Sequence, residues 1–201
     1  DGATSAALLI KFFQLINIEV DLEIPNRITE GYGPNKRIIN NLKKNNIKLA
    51  ISVDCGTTSF DIFNKKILNK IDIIVIDHHV GEINIPDVHG LINPNQLNED
   101  NNQKYLAAVG VTFLFLVALR RKLNNNNYYK LNNFEKHNLT LLLDLVALGT
   151  VCDVVPLIDL NRAFVKKGLE IIRQRNNLGI SSILDNANVR NQPNVFDLSY
   201  I

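Results

Sequence analysis

The 201-residue sequence contains no methionine, no tryptophan and only two cysteines, Cys55 and Cys152. Two cysteines cannot build a disulfide framework, which favours a reducing cytosol and so a cytoplasmic location, or leaves the compartment open. There is no signal peptide and no run of about 18 apolar residues, so neither secretion nor a membrane span is predicted. Because the chain opens at Asp1 without a methionine, we expect it to be an internal segment of a longer protein.

The sequence also lacks a large excess of charge of either sign. The 22 basic and 20 acidic residues give a formal net charge of +2, which argues against a polycationic protein that binds nucleic acid through its bulk field. Aromatic residues make up only 7% of the chain, so no dominant stacking surface for bases is expected. The sequence has neither GxGxxG nor GxxxxGK[ST], and dinucleotide and P-loop sites are therefore not predicted.

Two apolar runs that each stop at an acid are the main positive signal. KLAISV runs into Asp54, and KIDIIVI runs into Asp77, His78 and His79, with a helix predicted between them from about residue 59 to 69. Strand, helix and strand rich in Ile and Val are typical of an α/β fold with a parallel sheet. Ligands bind beyond the carboxyl ends of such strands, so both acids are predicted at the functional edge.

The rest of the chain reads as one domain in two parts, a parallel-sheet core over 1–100 and a mainly helical part over 104–201. A helix is predicted after the opening Asp1-Gly2 turn, and a sheet-edge strand over 18–24, where apolar and acidic residues alternate. Further predictions are a loop over 25–35, a short helix over 34–46, a polar linker over 124–133, and helices over about 105–123, 134–148 and 159–175.

Acids and histidines collect at the predicted element ends: Asp1, Asp54, Asp77, His78, His79 and Asp153. Carboxylates with a minority of imidazoles suit Mn²⁺ or Mg²⁺, and two such ions about 3.5–4 Å apart suit in-line phosphoester displacement. The alternatives are that each acid is a turn or helix cap and that the two histidines are structural. Cys55 and Cys152 are interpreted as small buried residues, with thiolate ligands as the alternative.

Four ordered motifs resemble those of the DHH phosphoesterase superfamily: DGATS, VDCGTTS, IDHH and ALGTVCDVVPL. The residues of the fourth motif, together with PNRITEGYGPN and Asn161-Arg162, resemble those of the RecJ family of single-strand-specific 5′→3′ exonucleases. The resemblance covers essentially the whole chain. It implies a three-layer, doubly wound, mostly parallel sheet flanked by helices, followed by a helical C-terminal part.

The resemblance also implies roles for the motif residues. Asp54 would bridge two divalent cations, Mn²⁺ or Mg²⁺, and Asp1, His78 and Asp153 would complete one of the two sites. The other site would need residues upstream of Asp1. Asp77 would orient a histidine or a water molecule, and His79 would contact the scissile phosphate; Asp54, Asp77, His78 and His79 are therefore the expected catalytic residues.

The implied function is hydrolysis of single-stranded DNA to 5′-mononucleotides in repair and recombination. Single-stranded DNA, a single-strand-binding protein and a helicase are the implied partners, with no membrane. RecJ-like proteins carry a DHH-associated domain and an oligonucleotide-binding domain that are expected to be absent here, which would leave this segment inactive alone. The alternatives are a phosphoesterase acting on short oligonucleotides or small phosphate substrates, and a non-catalytic replication scaffold of the Cdc45 kind.

Overall fold

The computed structural model describes residues 1–68, 70–98, 100–135, 137–190 and 192–200. The chain divides into two units. The sheet unit comprises Asp21–Lys104, and the helical unit comprises Asp1–Val20 together with Tyr105–Ile201.

A three-stranded parallel sheet forms the centre of the sheet unit. Its elements in chain order are helix α2 (Lys36–Lys44), strand β1 (Leu49–Val53), the single turn α3 (Lys65–Leu68), strand β2 (Asp72–Ile76) and strand β3 (Gly90–Ile92). The strands lie in the order β1-β2-β3, with Val53 opposite Ile76 and Ile76 opposite Ile92. All three strands therefore end at the same edge, as parallel pairing requires.

One apolar cluster packs on this sheet. The β-branched residues Ile73 and Val75 are each at most 2% exposed, and alternation along β2 places both on one face. Residues of α2, of α3 and of the segment before α3 cover that face, and the buried cluster consists of Ile39, Phe63, Leu68, Ile71, Ile73 and Val75. The predicted parallel α/β sheet flanked by helices is confirmed.

The helical unit is built around helix α6. Its elements are α1 (Gly2–Leu15), α4 (Ala108–Asn125), α5 (Tyr128–Leu131), a 3₁₀ turn (Leu139–Leu142), α6 (Leu143–Cys152), α7 (Asp159–Ile172), α8 (Leu178–Asn186) and α9 (Val195–Tyr200). Helix α6 is apolar on nearly every side and packs against α1, α4, α7 and α9, as expected for a helix in the middle of a core. No helix in the described ranges is both long and apolar enough to cross a membrane.

Glycines let the neighbours of α6 approach closely. A Cβ at Gly149 would overlap Thr4 Oγ1 of α1 and lie 2.9 Å from Val109 Cγ1 of α4. A Cβ at Gly168 of α7 would overlap the Leu143 carbonyl oxygen. The close contacts at Gly149 explain why the ALGTV segment carries a glycine inside a helix, where glycine otherwise costs stability.

The strand predicted over 18–24 is wrong. The chain there forms no strand, and Ile18, Val20, Leu22 and Ile24 are all more than a third exposed. In the sheet unit, Glu23 instead accepts hydrogen bonds from Arg37 and Asn41 of α2. Side chains of α2 thus hold Glu23, and residues 18–24 have no ladder partner among the described residues.

Several predicted helix boundaries are also corrected. Helix α1 begins at Gly2 directly after Asp1, and the helix predicted over 59–69 is reduced to Lys65–Leu68, with residue 69 outside the described residues. The predicted linker contains the turn α5, which Asn127 introduces with φ +56°. The helix predicted from residue 134 begins only at the 3₁₀ turn, where Asn138 accepts a hydrogen bond from Thr140 N–H.

Candidate metal centre

The ends of β1 and β2 place two acids side by side in the sheet unit. The ladder extends one residue beyond each strand, because Asp54 N–H donates to the Ile76 carbonyl (2.9 Å) and Asp77 N–H donates to the Ile92 carbonyl (3.0 Å). Asp54 and Asp77 are thereby fixed at the carboxyl edge of the sheet. This is the edge where α/β sheets bind ligands.

The backbone turns sharply after β1. Asp54 has φ +58°, and Gly56 has φ +117°, a region that favours glycine. A Cβ at Gly56 would lie 2.9 Å from Phe63 Cε2. The VDCG segment therefore needs glycine at this position both for the positive φ and because there is no space for a side chain. The turn directs the Asp54 side chain toward the histidines that follow β2.

Asp77 is a buried carboxylate that accepts hydrogen bonds on both oxygens. Its Oδ2 accepts from Thr57 N–H (3.0 Å), and its Oδ1 accepts from His78 N–H (2.8 Å), His79 N–H (3.3 Å) and His79 Nδ1 (2.7 Å). Burial raises the pKa of Asp77, but the hydrogen bonds from His79, Thr57 and His78 outweigh it and hold the pKa below its ordinary value. Asp77 therefore stays ionised and fixes the His79 ring.

His78 and His79 both lie against Asp54. His78 Nε2 is 3.5 Å from Asp54 Oδ1, and the two imidazole centroids are 4.7 Å apart. One ligand atom from each of Asp54, His78 and His79 lies within 4.8 Å of the others. The chain bends after Asp77, and the two rings therefore do not diverge as they would on an extended strand. The His78 side chain is 13% exposed and that of His79 is 51% exposed, so His79 is the more accessible.

Two asparagines after β3 complete this edge, and the sequence reasoning did not identify them. Asn93 Nδ2 donates to the His79 carbonyl (2.8 Å) and to Thr57 Oγ1 (2.8 Å). Asn95 Nδ2 donates to the His78 carbonyl (2.6 Å). The available signal was the Asn-Pro-Asn triplet directly after a third parallel strand, at the position that Asp54 and Asp77 occupy after β1 and β2.

The loop before α2 contributes Tyr32. Its hydroxyl donates to the Asp54 carbonyl oxygen, and its ring centroid is 5.9 Å from that of His79. Burial, with the Asp54 carboxylate nearby, raises the pKa of Tyr32, so the phenol stays protonated. Arg27 lies over the ring, 4.9 Å from its centroid, and the Arg27–Tyr32 pair is exposed.

The other two predicted ligands belong to the helical unit. Asp1 precedes α1, and its carboxylate accepts hydrogen bonds from Ala108 N–H (2.7 Å) and Val109 N–H (2.9 Å) at the start of α4. Asp153 caps the C-terminus of α6. One carboxylate oxygen of Asp1 lies within 4.8 Å of one of Asp153. The helical unit therefore brings these two predicted ligands together.

Among the described residues, neither cysteine belongs to the groups of side chains that could hold a metal ion. Burial raises the pKa of Cys55 to about 11, so its thiol is protonated at neutral pH, and it contacts Ser52 Oγ and the Val53 carbonyl. Cys152 is exposed, which corrects its interpretation as a buried residue. The remaining donors of the sheet unit are a carboxylate and imidazole nitrogens, a set that fits Mn²⁺ and, through its oxygens, Mg²⁺.

Comparison with protein families shows to which family the chain belongs. The profile of the DHH family, N-terminal domain, matches residues 1–150. The chain belongs to the DHH family. Asp54 and the Asp77-His78-His79 segment of this DHH chain both fall inside the matched region.

Relatives of this DHH chain are named as exonucleases. It is 38% identical over 191 residues to the single-stranded-DNA-specific exonuclease RecJ of Salmonella typhimurium, covering 94% of the chain and 33% of that protein. It is 34% identical over 186 residues to RecJ of Bacillus subtilis, covering 92% of the chain and 22% of that protein. The chain thus spans about a third or less of the length of these curated relatives.

A solved structure has the same fold. The crystal structure of exonuclease RecJ bound to manganese superposes with a TM-score of 0.81 at 27% identity, covering 98% of this chain and 47% of that one. The parallel sheet and the following helices therefore match a known RecJ fold along nearly the whole sequence.

Proposed function

We propose that this protein is a metal-dependent nuclease that hydrolyses single-stranded DNA from the 5′ end to 5′-mononucleotides. The observation that carries the proposal is the pair of Asp54 Oδ1 and His78 Nε2, 3.5 Å apart at the ends of adjacent parallel strands. The DHH family membership and the names of the RecJ relatives support this substrate and reaction.

Divalent cations, Mn²⁺ or Mg²⁺, are the proposed cofactors. Asp54 and His78 would hold them, and the resemblance to the family motifs supports Asp1 and Asp153 as further ligands, with Asp54 shared by two ions. When bound, the cations supply activation of water and offset the negative charge of the phosphoryl oxygens. The manganese in the related RecJ structure supports Mn²⁺ in particular.

We assign His79 to the scissile phosphate. Asp77 accepts a hydrogen bond from His79 Nδ1 (2.7 Å), which directs the opposite nitrogen, Nε2, away from Asp77. In the imidazolium form both ring nitrogens are donors, so Nε2 can then donate to a phosphate oxygen, and the half-exposed side chain leaves room for that contact. Asp77 therefore acts through His79 and does not itself touch the substrate.

Arg27 and Tyr32 give the site features that suit a single strand. An exposed guanidinium stacked on an aromatic ring offers a cation for a phosphate and a π-face for an unpaired base. Both lie in the loop whose Tyr32 contacts the Asp54 carbonyl and the His79 ring. A base-paired duplex would not present its bases to such a pair.

The wider context is part of the proposal and rests on the resemblance alone. We propose that the activity serves DNA repair and recombination in the cytoplasm, with a single-strand-binding protein and a helicase as partners. The proposed domain arrangement is a DHH catalytic domain over 1–201, whose activity depends on further domains of a full-length protein.

The test is hydrolysis by a full-length protein that carries this chain. We expect Mn²⁺-dependent release of mononucleotides from a 5′-phosphorylated single strand, little release from the matched duplex, and no preference for a dinucleotide. Asp54→Asn should reduce the rate by more than the ~10–100-fold that is typical of losing an outer partner of a metal ligand. Asp61→Asn, an exposed acid in the same unit, is the matched control and should keep the wild-type rate.

Two outcomes contradict the proposal. Preference for the dinucleotide over the long strand would assign the protein to small phosphate substrates. Activity of Asp54→Asn equal to that of Asp61→Asn would remove Asp54 from the reaction.

A further inference from the structure

We propose that Asn95 is a positioning residue that holds the His78 peptide, and with it the His78 imidazole, at Asp54. The proposal rests on the metal centre proposed above and adds a residue from a different strand end. The Asn95 side-chain amide donates to the His78 carbonyl (2.6 Å) and to the Lys104 carbonyl (3.1 Å). One neutral side chain thus bridges the segment after β2 and the end of the loop after β3.

Asn93 supports the same segment one residue further along. It is 4% exposed, and its amide donates to the His79 carbonyl. Its Oδ1 accepts from Asn95 N–H (2.8 Å), and the Asn95 carbonyl accepts from Gly81 N–H (3.2 Å). Consecutive carbonyls of the two histidines are therefore held by two asparagines that are also tied to each other.

The residue between them explains why side chains perform this task. The β2–β3 ladder ends with Asp77 N–H on the Ile92 carbonyl, and a further backbone donor at residue 94 is impossible because proline has no N–H. The strand pairing cannot continue past Asn93. Side-chain amides replace it and reach the carbonyls of His78 and His79.

The chemistry of the amide group suits the position. An asparagine NH₂ has two donor hydrogens and no charge, so it can serve the carbonyls of His78 and Lys104 together. An aspartate of the same shape would direct a carboxylate at those oxygens, and a leucine would offer no donor. Asn95 is partly buried, so loss of the donor leaves its partners poorly solvated.

The consequence for the site is geometric. His78 Nε2 lies 3.5 Å from Asp54 Oδ1, a distance that depends on where the His78 backbone is fixed. Partners behind a metal ligand typically contribute 10–100-fold to metal affinity by orienting it. We therefore assign to Asn95 an effect on metal affinity and on the His78 ring, without contact between Asn95 and the substrate.

The experiment measures Mn²⁺ binding to the 201-residue chain by electron paramagnetic resonance of the free ion. Asn95→Leu and Asn95→Asp should each weaken binding by ~10–100-fold while circular dichroism shows a native fold. Asn101→Leu is the matched control, because Asn101 lies in the same loop and its amide also donates to a backbone carbonyl, that of Pro94 (3.0 Å). It should keep wild-type affinity.

A second readout separates positioning from general loop stability. Histidine imidazole ¹H–¹⁵N spectra recorded without metal should show the His78 signals displaced in both Asn95 variants and unchanged in Asn101→Leu. Wild-type affinity in the Asn95 variants, an equal loss in Asn101→Leu, or loss of the fold even in Asn95→Asp would overturn the proposal.

The Asp54→Asn variant distinguishes failure of the Asn95 positioning role from failure of the proposed function. If Asp54→Asn abolishes Mn²⁺ binding and the Asn95 variants retain it, the metal centre stands and only the role of Asn95 is lost. If Asp54→Asn binds as tightly as the wild type, the metal centre itself is wrong and the positioning role is overturned with it.

Discussion

Asp54 and Asp77 follow neighbouring strands at matching positions, but their carboxylates have different partners. Asp77 is 1% exposed and accepts four hydrogen bonds within the sheet unit. Three of these hydrogen bonds are on Oδ1 and one is on Oδ2, so both oxygens of Asp77 are engaged. The Asp54 carboxylate faces His78 Nε2 instead. The contrast supports Asp54 as the metal ligand and Asp77 as the residue that orients His79.

Glu30 gives a pH test of the loop that carries Tyr32. Hydrogen bonds from Arg37 and then from Asn26 N–H lower the pKa of Glu30 from 4.5 to about 2. Because the folded-state pKa is the lower one, this contribution to stability is complete above about pH 4.5 and is lost as the pH falls toward 2.

We expect a carboxyl ¹³C NMR titration to place the Glu30 midpoint near 2 in the wild type and to move it toward 4.5 in Arg37→Met. The Arg37 guanidinium donates to both Glu30 oxygens, so it is the partner whose loss should matter most. A midpoint that is the same in the two proteins would show that Arg37 does not hold this loop.

Single residues also mark the limit of the sequence reasoning. Asp54, Asp77, His78 and His79 could be singled out because acids and histidines directly follow apolar runs. Asn93 and Asn95 could not, because asparagine is common in turns and their value depends on which carbonyls their amides reach. Tyr32 was hidden for a similar reason, since its partner lies 22 residues away in sequence.

At the scale of elements, the paired strands of the sheet were more predictable than the segment before α2. β2 is near-continuous Ile and Val and β1 is mostly apolar, and their ends agree with the predicted stops at Asp54 and Asp77. The segment 18–24 alternates like a strand but has no ladder partner, and side chains of α2 hold its Glu23. Periodicity shows which faces can be buried, whereas pairing depends on a neighbour that the local sequence does not contain.

Helix packing in the helical unit leads to a stability prediction at Gly149. Gly149→Ala should lower the free energy of unfolding by ~1–3 kcal/mol, because the new methyl group overpacks the contact with Thr4 and Val109. Urea denaturation of the 201-residue chain measures the change.

Gly179→Ala is the control for Gly149→Ala. Gly179 also lies in a helix, α8, but the nearest atom to its Cβ would be Asn177 Oδ1 at 3.5 Å. Alanine there should leave the stability unchanged or raise it by roughly 0.5–1 kcal/mol. Equal effects of the two substitutions would mean that α1 and α6 do not pack as closely as described.

For the whole molecule, the order of the four motifs carried more information than any single motif. It predicted the DHH family and the α/β class, and both are confirmed. The grouping of Asp1–Val20 with Tyr105–Ile201 depends on packing of α1 against α4 and α6. Apolar stripes allow such packing but do not specify it, because many helix pairs could bury the same stripes.

The modest net charge of +2 is consistent with the length of the chain relative to its relatives. A chain that covers about a third of its RecJ relatives need not carry all of the charge with which a full-length protein would bind DNA. The proposed role of this segment is therefore the chemistry at Asp54 and the histidines rather than the bulk attraction of the strand.

The most direct test of the metal centre is anomalous diffraction at the manganese edge from crystals of the chain grown with Mn²⁺. We expect an anomalous peak within bonding distance of an Asp54 carboxylate oxygen and of His78 Nε2, and loss of that peak in crystals of Asp54→Asn. A peak found only away from these two residues, or one that persists unchanged in Asp54→Asn, would contradict the proposed metal centre.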